Sequence, residues 1–375
     1  MISHGFRRFF GIAPSEVRWE KRGFHRGSEE ARGRLEGICD VFLSGYHASL
    51  ETSQTAALSA RLVAQADETR GFAYEGAAMG LALRDWLTPW RRERVTEFLK
   101  GPAGAHAYMV HVGAGWVLAR APVNVDRFLS RFDPLLRWLV VDGYGFHEGF
   151  FNWQRYRNGA GLPARLKNYA RRAFDQGLGR SLWFVEGAEV GRIPDAIEGL
   201  TEHSRPDLWS GVGLAAVYAG EASVESLQRL GESAGECQAQ LAQGAVFAAK
   251  ARHRAGNATE YTETATRVLS GLSVTEAARL CDEALENVED TEREPAYEVW
   301  RRRAQQRLVQ IFELKRVLDV KRPITHEGGE LDGALGGRPG SEESAALKRA
   351  VAEGLTMTTA KTPSVFLGTS FCTNP

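Results

Sequence analysis

Seven segments of this chain place a glycine in the middle of an apolar, helix-compatible run, and this recurrence limits the fold more than any other feature. They read Phe42-Leu-Ser-Gly45-Tyr-His-Ala, Phe72-Ala-Tyr-Glu-Gly76-Ala-Ala, Val110-His-Val-Gly113-Ala-Gly-Trp and Val140-Val-Asp-Gly143-Tyr-Gly-Phe. The others are Phe184-Val-Glu-Gly187-Ala-Glu-Val, Leu208-Trp-Ser-Gly211-Val-Gly-Leu and Leu241-Ala-Gln-Gly244-Ala-Val-Phe. A glycine inside a helix costs up to ~1 kcal/mol relative to alanine, so it is tolerated where a neighbouring helix must come close. The spacings are 31, 37, 30, 44, 24 and 33, with a mean of about 33. Periods of this size mark repeat architectures, and about 34 residues suits helix-turn-helix units such as tetratricopeptide repeats. The prediction is an all-α fold, a helical-hairpin repeat resembling a tetratricopeptide α-solenoid, with glycine helices alternating with more polar amphipathic ones.

Gly76, Gly113 and Gly143 map onto Gly187, Gly211 and Gly244 with offsets of 111, 98 and 101. That pattern suggests an internal duplication with halves at 28–160 and 161–322. Chance matches among 40 glycines are the alternative. Residues 1–27 read as an N-terminal segment, 28–322 as the helical repeat domain, and 323–375 as a flexible, turn-rich C-terminal tail.

Individual helix signals agree. Glu29 to Ala64 reads as one long helix, and Pro89 and Arg91 open another to Leu99, stopped by Gly101-Pro102. Ser273-Val-Thr-Glu276 has the form of a capping box, in which hydroxyl and carboxylate satisfy each other's orphan N–H groups. Strand signals are confined to Arg137–Val141 and Ser364–Leu367, and the first fits a buried helix equally well.

Charge and cysteine usage exclude several function classes. Lys+Arg balances Asp+Glu at 47 each, which argues against a nucleic-acid binder. Cys39, Cys237, Cys281 and Cys372 are scattered without CxxC spacing, so neither a zinc site nor a disulfide framework is expected. Buried, reduced thiols in a cytoplasmic protein are the plain expectation. The apolar stretch Met109 to Val123 is interrupted by His111 and Arg120 and falls short of the roughly 20 residues of a spanning helix, so no integral membrane protein is predicted. No secretory signal is recognised at the N-terminus.

The residue before each glycine is Ser44, Glu75, Val112, Asp142, Glu186, Ser210 or Gln243. Six of these seven are polar within apolar surroundings, which predicts either a polar row lining a channel or hydrogen bonds bridging adjacent helices. Buried carboxylates in such a row would have raised pKa values suited to acid–base work. The densest local feature is Asp142-Gly-Tyr-Gly-Phe-His147-Glu148-Gly-Phe-Phe-Asn-Trp153, which could wall an apolar ligand and supply a titrating imidazole. On a helix, however, His147 and Glu148 diverge by about 100°, and Phe151 occupies the place of a second metal-binding His. Candidate catalytic groups are Glu75, His147 and Glu186. Candidate substrate-binding groups are Asp142, Tyr144, Phe146, Trp116 and Trp183. No metal site is expected and no cofactor is indicated. GxSxG and P-loop motifs are absent, and Gly211-Val-Gly-Leu is a weak dinucleotide signal. Gly177-Leu-Gly179-Arg180-Ser181 could begin an anion-binding helix, with an ordinary turn into a helix at Leu182 as the plainer reading.

Several segments in combination resemble the UnbL-type proteins of enediyne biosynthesis. They are Arg22-Gly-Phe24, Gly71-Phe-Ala-Tyr-Glu-Gly-Ala-Ala-Met79, Leu87-Thr-Pro-Trp90, Tyr108-Met-Val-His-Val-Gly-Ala-Gly-Trp116, Asp142–Phe151, Gly179-Arg-Ser-Leu-Trp183, Arg267–Ala278 and Tyr297-Glu-Val-Trp300. The resemblance runs from about residue 5 to 320, and the tail from about Thr325 departs from it. It implies a part in converting a linear, hydrophobic polyene made by an iterative polyketide synthase into an enediyne core, together with UnbU- and UnbV-type proteins. It supplies no settled catalytic residues. An enzyme acting on the polyene, a scaffold that holds it, and a non-catalytic helical-repeat interaction protein remain as readings.

Overall fold

The computed structural model describes residues 2–52, 54–291 and 294–320. Among these every regular element is helical. In chain order they are α1 (Ile2–Phe10), α2 (Trp19–Arg22), α3 (Glu29–Glu51), α4 (Thr55–Val63), α5 (Asp67–Leu87), α6 (Arg94–Lys100), α7 (Ala107–Arg120) and α8 (Val125–Leu129). Then follow α9 (Arg137–Arg157), α10 (Tyr169–Val185), α11 (Ile193–Glu198), α12 (Arg205–Tyr218), α13 (Val224–Ser233), α14 (Gln238–Ala255), α15 (Glu260–Ser270), α16 (Val274–Leu285) and α17 (Ala296–Val320). The residues up to Gln310 make one compact unit. The expected tail and Ser364–Leu367 lie outside the described residues.

Local chemistry sets the boundaries. The Ser28 hydroxyl caps α3 by accepting from the Ala31 N–H at 3.0 Å. Ser273 and Glu276 form the expected capping box on α16. The stretch 29–64 is divided into α3 and α4 rather than continuous, and the helix after Pro89 begins only at Arg94. Arg137–Val141 is helical and opens α9.

Seven long helices, α3, α5, α7, α9, α10, α12 and α14, each pack on the next, and shorter helices connect most of them. Six of the seven predicted glycines sit at these contacts. Gly187 does not. It follows the end of α10 at φ 63°, a conformation that favours glycine, and a Cβ there would come within 2.5 Å of the His25 carbonyl oxygen. The glycine that packs α10 against α9 is Gly177, where a Cβ would fall 1.8 Å from the Asp142 carbonyl oxygen. With Gly177 in the series, the spacings become 31, 37, 30, 34, 34 and 33, and the offsets between the two halves become 101, 98 and 101. Gly177 and Gly179 therefore lie inside a helix and form no anion-binding turn.

Four consecutive helices carry Gly-x-Gly, and the two glycines face opposite neighbours. On α9, Gly143 lies against the Val112 carbonyl of α7, and Gly145 against the Phe174 carbonyl of α10. The same alternation holds for Gly113 and Gly115, Gly177 and Gly179, and Gly211 and Gly213. The backbones meet with no side chain between them, close enough for Cα–H···O contacts. The row curls on itself. Arg252 Nη1 and Asn257 Nδ2, at the far end, donate to the Glu68 and Asp67 carbonyls at 2.6 and 2.9 Å. Arg34 Nε of α3 likewise donates to the Ala219 carbonyl at the end of α12, at 3.3 Å.

Candidate functional site

Curling the row encloses a narrow cavity lined from six of its helices. Its wall is mostly apolar and rich in aromatic rings, with Phe42, Phe72, Trp116, Phe146, Phe150, Phe184 and Tyr218, and it contains two charged side chains, Glu75 and Arg180. The cavity volume is about 40 Å³, so the space between these walls is narrow. A second compartment of about 30 Å³ is lined by Tyr108, Val112, Phe247, Tyr297 and Trp300. Arg180, Leu214 and Tyr218 belong to both linings and so form the partition.

The repeat explains which side chains reach the cavities. Residues three or four positions apart share a helix face. From α7 to α14, the position three residues after the packing glycine is Trp116, Phe146, Arg180, Leu214 and Phe247, and all five line one or both compartments. In α3 and α5 the corresponding residues are Ala48 and Met79. Arg180 is thus the one polar residue at a position otherwise apolar in every copy.

Glu75 is 3 % exposed and has no ion pair within 4 Å among the described residues. Burial pushes its pKa up to about 7, Arg180 pulls it down, Asp142 raises it, and the Trp116 indole lowers it. That indole N–H acts on Glu75 without making a fully formed hydrogen bond. Asp142 is fully buried with its carboxylate 2.8 Å from Arg180 Nη2, out of line for a hydrogen bond, and it accepts from Gln176 Nε2 at 2.8 Å. Burial raises the Asp142 pKa against the opposing pull of Arg180 and Gln176. The Arg180 guanidinium also lies over the Phe146 ring, 4.8 Å from its centre.

With Gly177 replacing Gly187, the residue before the glycine on α10 becomes Gln176. The expected polar row then becomes a chain of contacts across successive helices. Asp142 is joined to Gln176, Gln176 to Ser210 at 3.5 Å, and Ser210 to Gln243 at 3.0 Å. Arg301 Nε of α17 donates to Gln243 at 3.2 Å and its Nη1 pairs with Asp207 at 2.7 Å. From Asp142 onward the row ties helices together. At Glu75 it borders the cavity.

The structure does not bring Glu75, His147 and Glu186 together. Glu186 caps the end of α10 and pairs with Arg192 at 2.7 Å. His147 lies behind Trp116, their ring centres 5.3 Å apart, and accepts from Arg120 Nε at 3.3 Å. Its Nδ1 reaches within 3.6 Å of Glu148, so these neighbours approach each other more closely than helix geometry predicts. Burial lowers the His147 pKa, with Glu148 opposing and Arg120 reinforcing the shift. Among the expected binding residues, Trp116 and Phe146 line the cavity. Asp142 stands behind it as the partner of Arg180. Tyr144 contacts Arg165 and Phe174, and the Trp183 indole donates to the Gly220 carbonyl at 3.0 Å. Sequence reasoning misses Arg180 and Tyr218 as cavity-lining residues, and the apolar pattern three residues after each glycine is the signal that could have found the first.

Glu75 gives the site a pH signature. Its folded pKa of about 7 exceeds its ordinary 4.5. Its contribution to stability is therefore fully present below the unfolded value and is lost as pH rises through about 7. Replacing Glu75→Gln should raise stability at pH 8 by up to about 3 kcal/mol and leave it nearly unchanged at pH 4. Urea unfolding at the two pH values checks this, and an equal effect at both would remove the buried-acid account.

No group of residues suited to a metal ion occurs among the described residues. No described helix is long and apolar enough to cross a membrane. A family model described as a protein of unknown function (DUF1702) matches residues 2–308. No curated protein and no solved structure matches the chain.

Proposed function

Since the chain belongs to the DUF1702 family, whose function is unknown, we propose its role from the cavity itself: it binds a slender, unsaturated, hydrophobic chain. The observation that carries this reading is the lining, with seven aromatic side chains and only two charges contributed by successive helices. Aromatic faces and edges suit a flat conjugated chain as well as one another. The resemblance to UnbL-type proteins then gives the ligand an identity, the polyketide-derived polyene, and a setting, enediyne core formation in the cytoplasm beside UnbU- and UnbV-type proteins. Holding the chain is favoured over joint acid–base chemistry by Glu75, His147 and Glu186, because those groups occupy three separate environments. A non-catalytic interaction scaffold is the second reading, favoured by Trp90, 82 % exposed within the Leu87–Trp90 segment.

The test adds the purified linear polyene to the protein, with and without the two partner types, and follows tryptophan quenching and polyene absorbance. Binding should be saturable and should weaken about tenfold or more in Ala215→Phe, which puts a ring into the cavity. Unchanged affinity in a folded Ala215→Phe would place the ligand elsewhere. Turnover that disappears in Glu75→Ala but persists in His147→Ala and Glu186→Ala would make the cavity a reaction site.

A further inference from the structure

Three buried side chains around the cavity hold donors that make no fully formed hydrogen bond. They are Arg180 Nε and Nη2, the latter 2.8 Å from Asp142, the Trp116 indole N–H, which acts on Glu75, and the Tyr218 hydroxyl. These side chains come from α10, α7 and α12 and are 5, 4 and 4 % exposed. Glu75 belongs to the same cluster, since its charge is felt by Tyr218 and responds to Arg180 and Trp116. A buried donor left unpaired costs about 1–3 kcal/mol, and more when charged. Several from different helices therefore call for an acceptor that arrives from outside.

The charge balance says what kind of acceptor. Arg180 meets one carboxylate, Asp142, and out of line. Arg252 lies over the Tyr218 ring at 4.1 Å and is 2 % exposed. Its hydrogen bonds go to the carbonyl oxygens of Glu68, Asn257 and Tyr218, and it makes no ion pair among the described residues. Two buried cations thus flank the partition beside two buried acids, Asp142 next to Arg180 and Glu75, whose pKa burial raises to about 7. The helix repeat adds an independent argument, because the position of Arg180 is filled by Trp116, Phe146, Leu214 and Phe247 in the neighbouring helices. Packing alone calls for an apolar residue there.

We infer that the cavity takes its unsaturated chain by a terminal carboxylate, whose oxygens accept from Arg180, Trp116 and Tyr218 while the conjugated tail lies among Phe42, Phe146, Phe150 and Phe184. This rests on the proposed chain-binding role and specifies the ligand class as a polyunsaturated acid rather than a hydrocarbon or ester. Arginine is the side chain suited to a planar carboxylate, which its fork can bind through two parallel bonds.

Parinaric acid, a fluorescent conjugated tetraenoic acid, and its methyl ester are the probes, titrated into the full chain. The acid should bind about tenfold tighter than the ester or better, as expected for a charge-assisted contact. That preference should vanish in Arg180→Leu. It should shrink roughly threefold or more in Tyr218→Phe, which keeps the ring and loses one donor. Should Arg180→Leu fail to fold with Asp142 left unpaired, the Tyr218→Phe comparison carries the test. Equal affinity of the unmodified protein for acid and ester would overturn the carboxylate inference and leave the chain-binding reading standing. Preference for the acid that survives intact in Tyr218→Phe would also overturn it, by placing the head group elsewhere. Failure of both probes to bind would overturn both readings.

Discussion

Gly177→Ala should destabilise the folded chain by about 3 kcal/mol or more, at the upper end of overpacking effects. The added Cβ would meet the Asp142 carbonyl oxygen at 1.8 Å, its carbon at 2.7 Å and the Phe146 nitrogen at 2.8 Å. All three are backbone atoms, so no rotamer change relieves the clash, and α9 and α10 must separate. That separation would also pull Asp142 from Gln176 and Arg180. Gly231→Ala is the matched control. Gly231 lies in α13, and a Cβ there would meet nothing within 4 Å, so the substitution should be neutral or stabilising by up to about 1 kcal/mol. Denaturant unfolding of both variants decides the matter. A Gly177→Ala variant within about 0.5 kcal/mol of the parent would refute the close-packing account.

Arg301→Leu should cost about 3–5 kcal/mol, the range for removing one partner of a buried ion pair. Arg301 is fully buried, 2.7 Å from Asp207 and 3.4 Å from Glu298, and also bonds Gln243 and the Tyr169 hydroxyl. Its loss leaves Asp207 with Arg172 alone and cuts the polar chain at its end. The double variant Arg301→Leu/Asp207→Leu should recover a large part of the loss, because the isolated charge rather than the missing attraction dominates. Strict additivity of the two single changes would mean that the pair is not coupled.

Much of the framework is legible in the sequence because the glycine helices obey a local rule. Gly45, Gly76, Gly113, Gly143, Gly211 and Gly244 can be found from apolar context and spacing alone. Gly187 misleads for a physical reason. A glycine that ends a helix at positive φ and one that admits a neighbouring backbone can have the same local sequence, and only the partner distinguishes them. Phe184-Val-Glu-Gly187 imitates the packing pattern, whereas Gly177-Leu-Gly179-Arg180-Ser181 imitates a turn. The polar row is visible as a pattern, but its Gln176 member depends on that correction. The cavity is harder to see. Its wall is collected from Val17, ahead of α2, to Ala219 at the end of α12, and Arg180 is conspicuous only once the helices are aligned on the right glycines.

The alternating glycines separate two design problems that most helical proteins must solve with the same side chains. Contacts between successive helices are made backbone to backbone. Residues three positions later can therefore change identity while the spacing of the frame is retained. Related chains could exchange an arginine for a tryptophan or a leucine at that position and acquire a different ligand preference with the helix row intact. Selectivity would then drift faster than architecture, and sequence divergence should concentrate on the inward position while the glycines stay fixed.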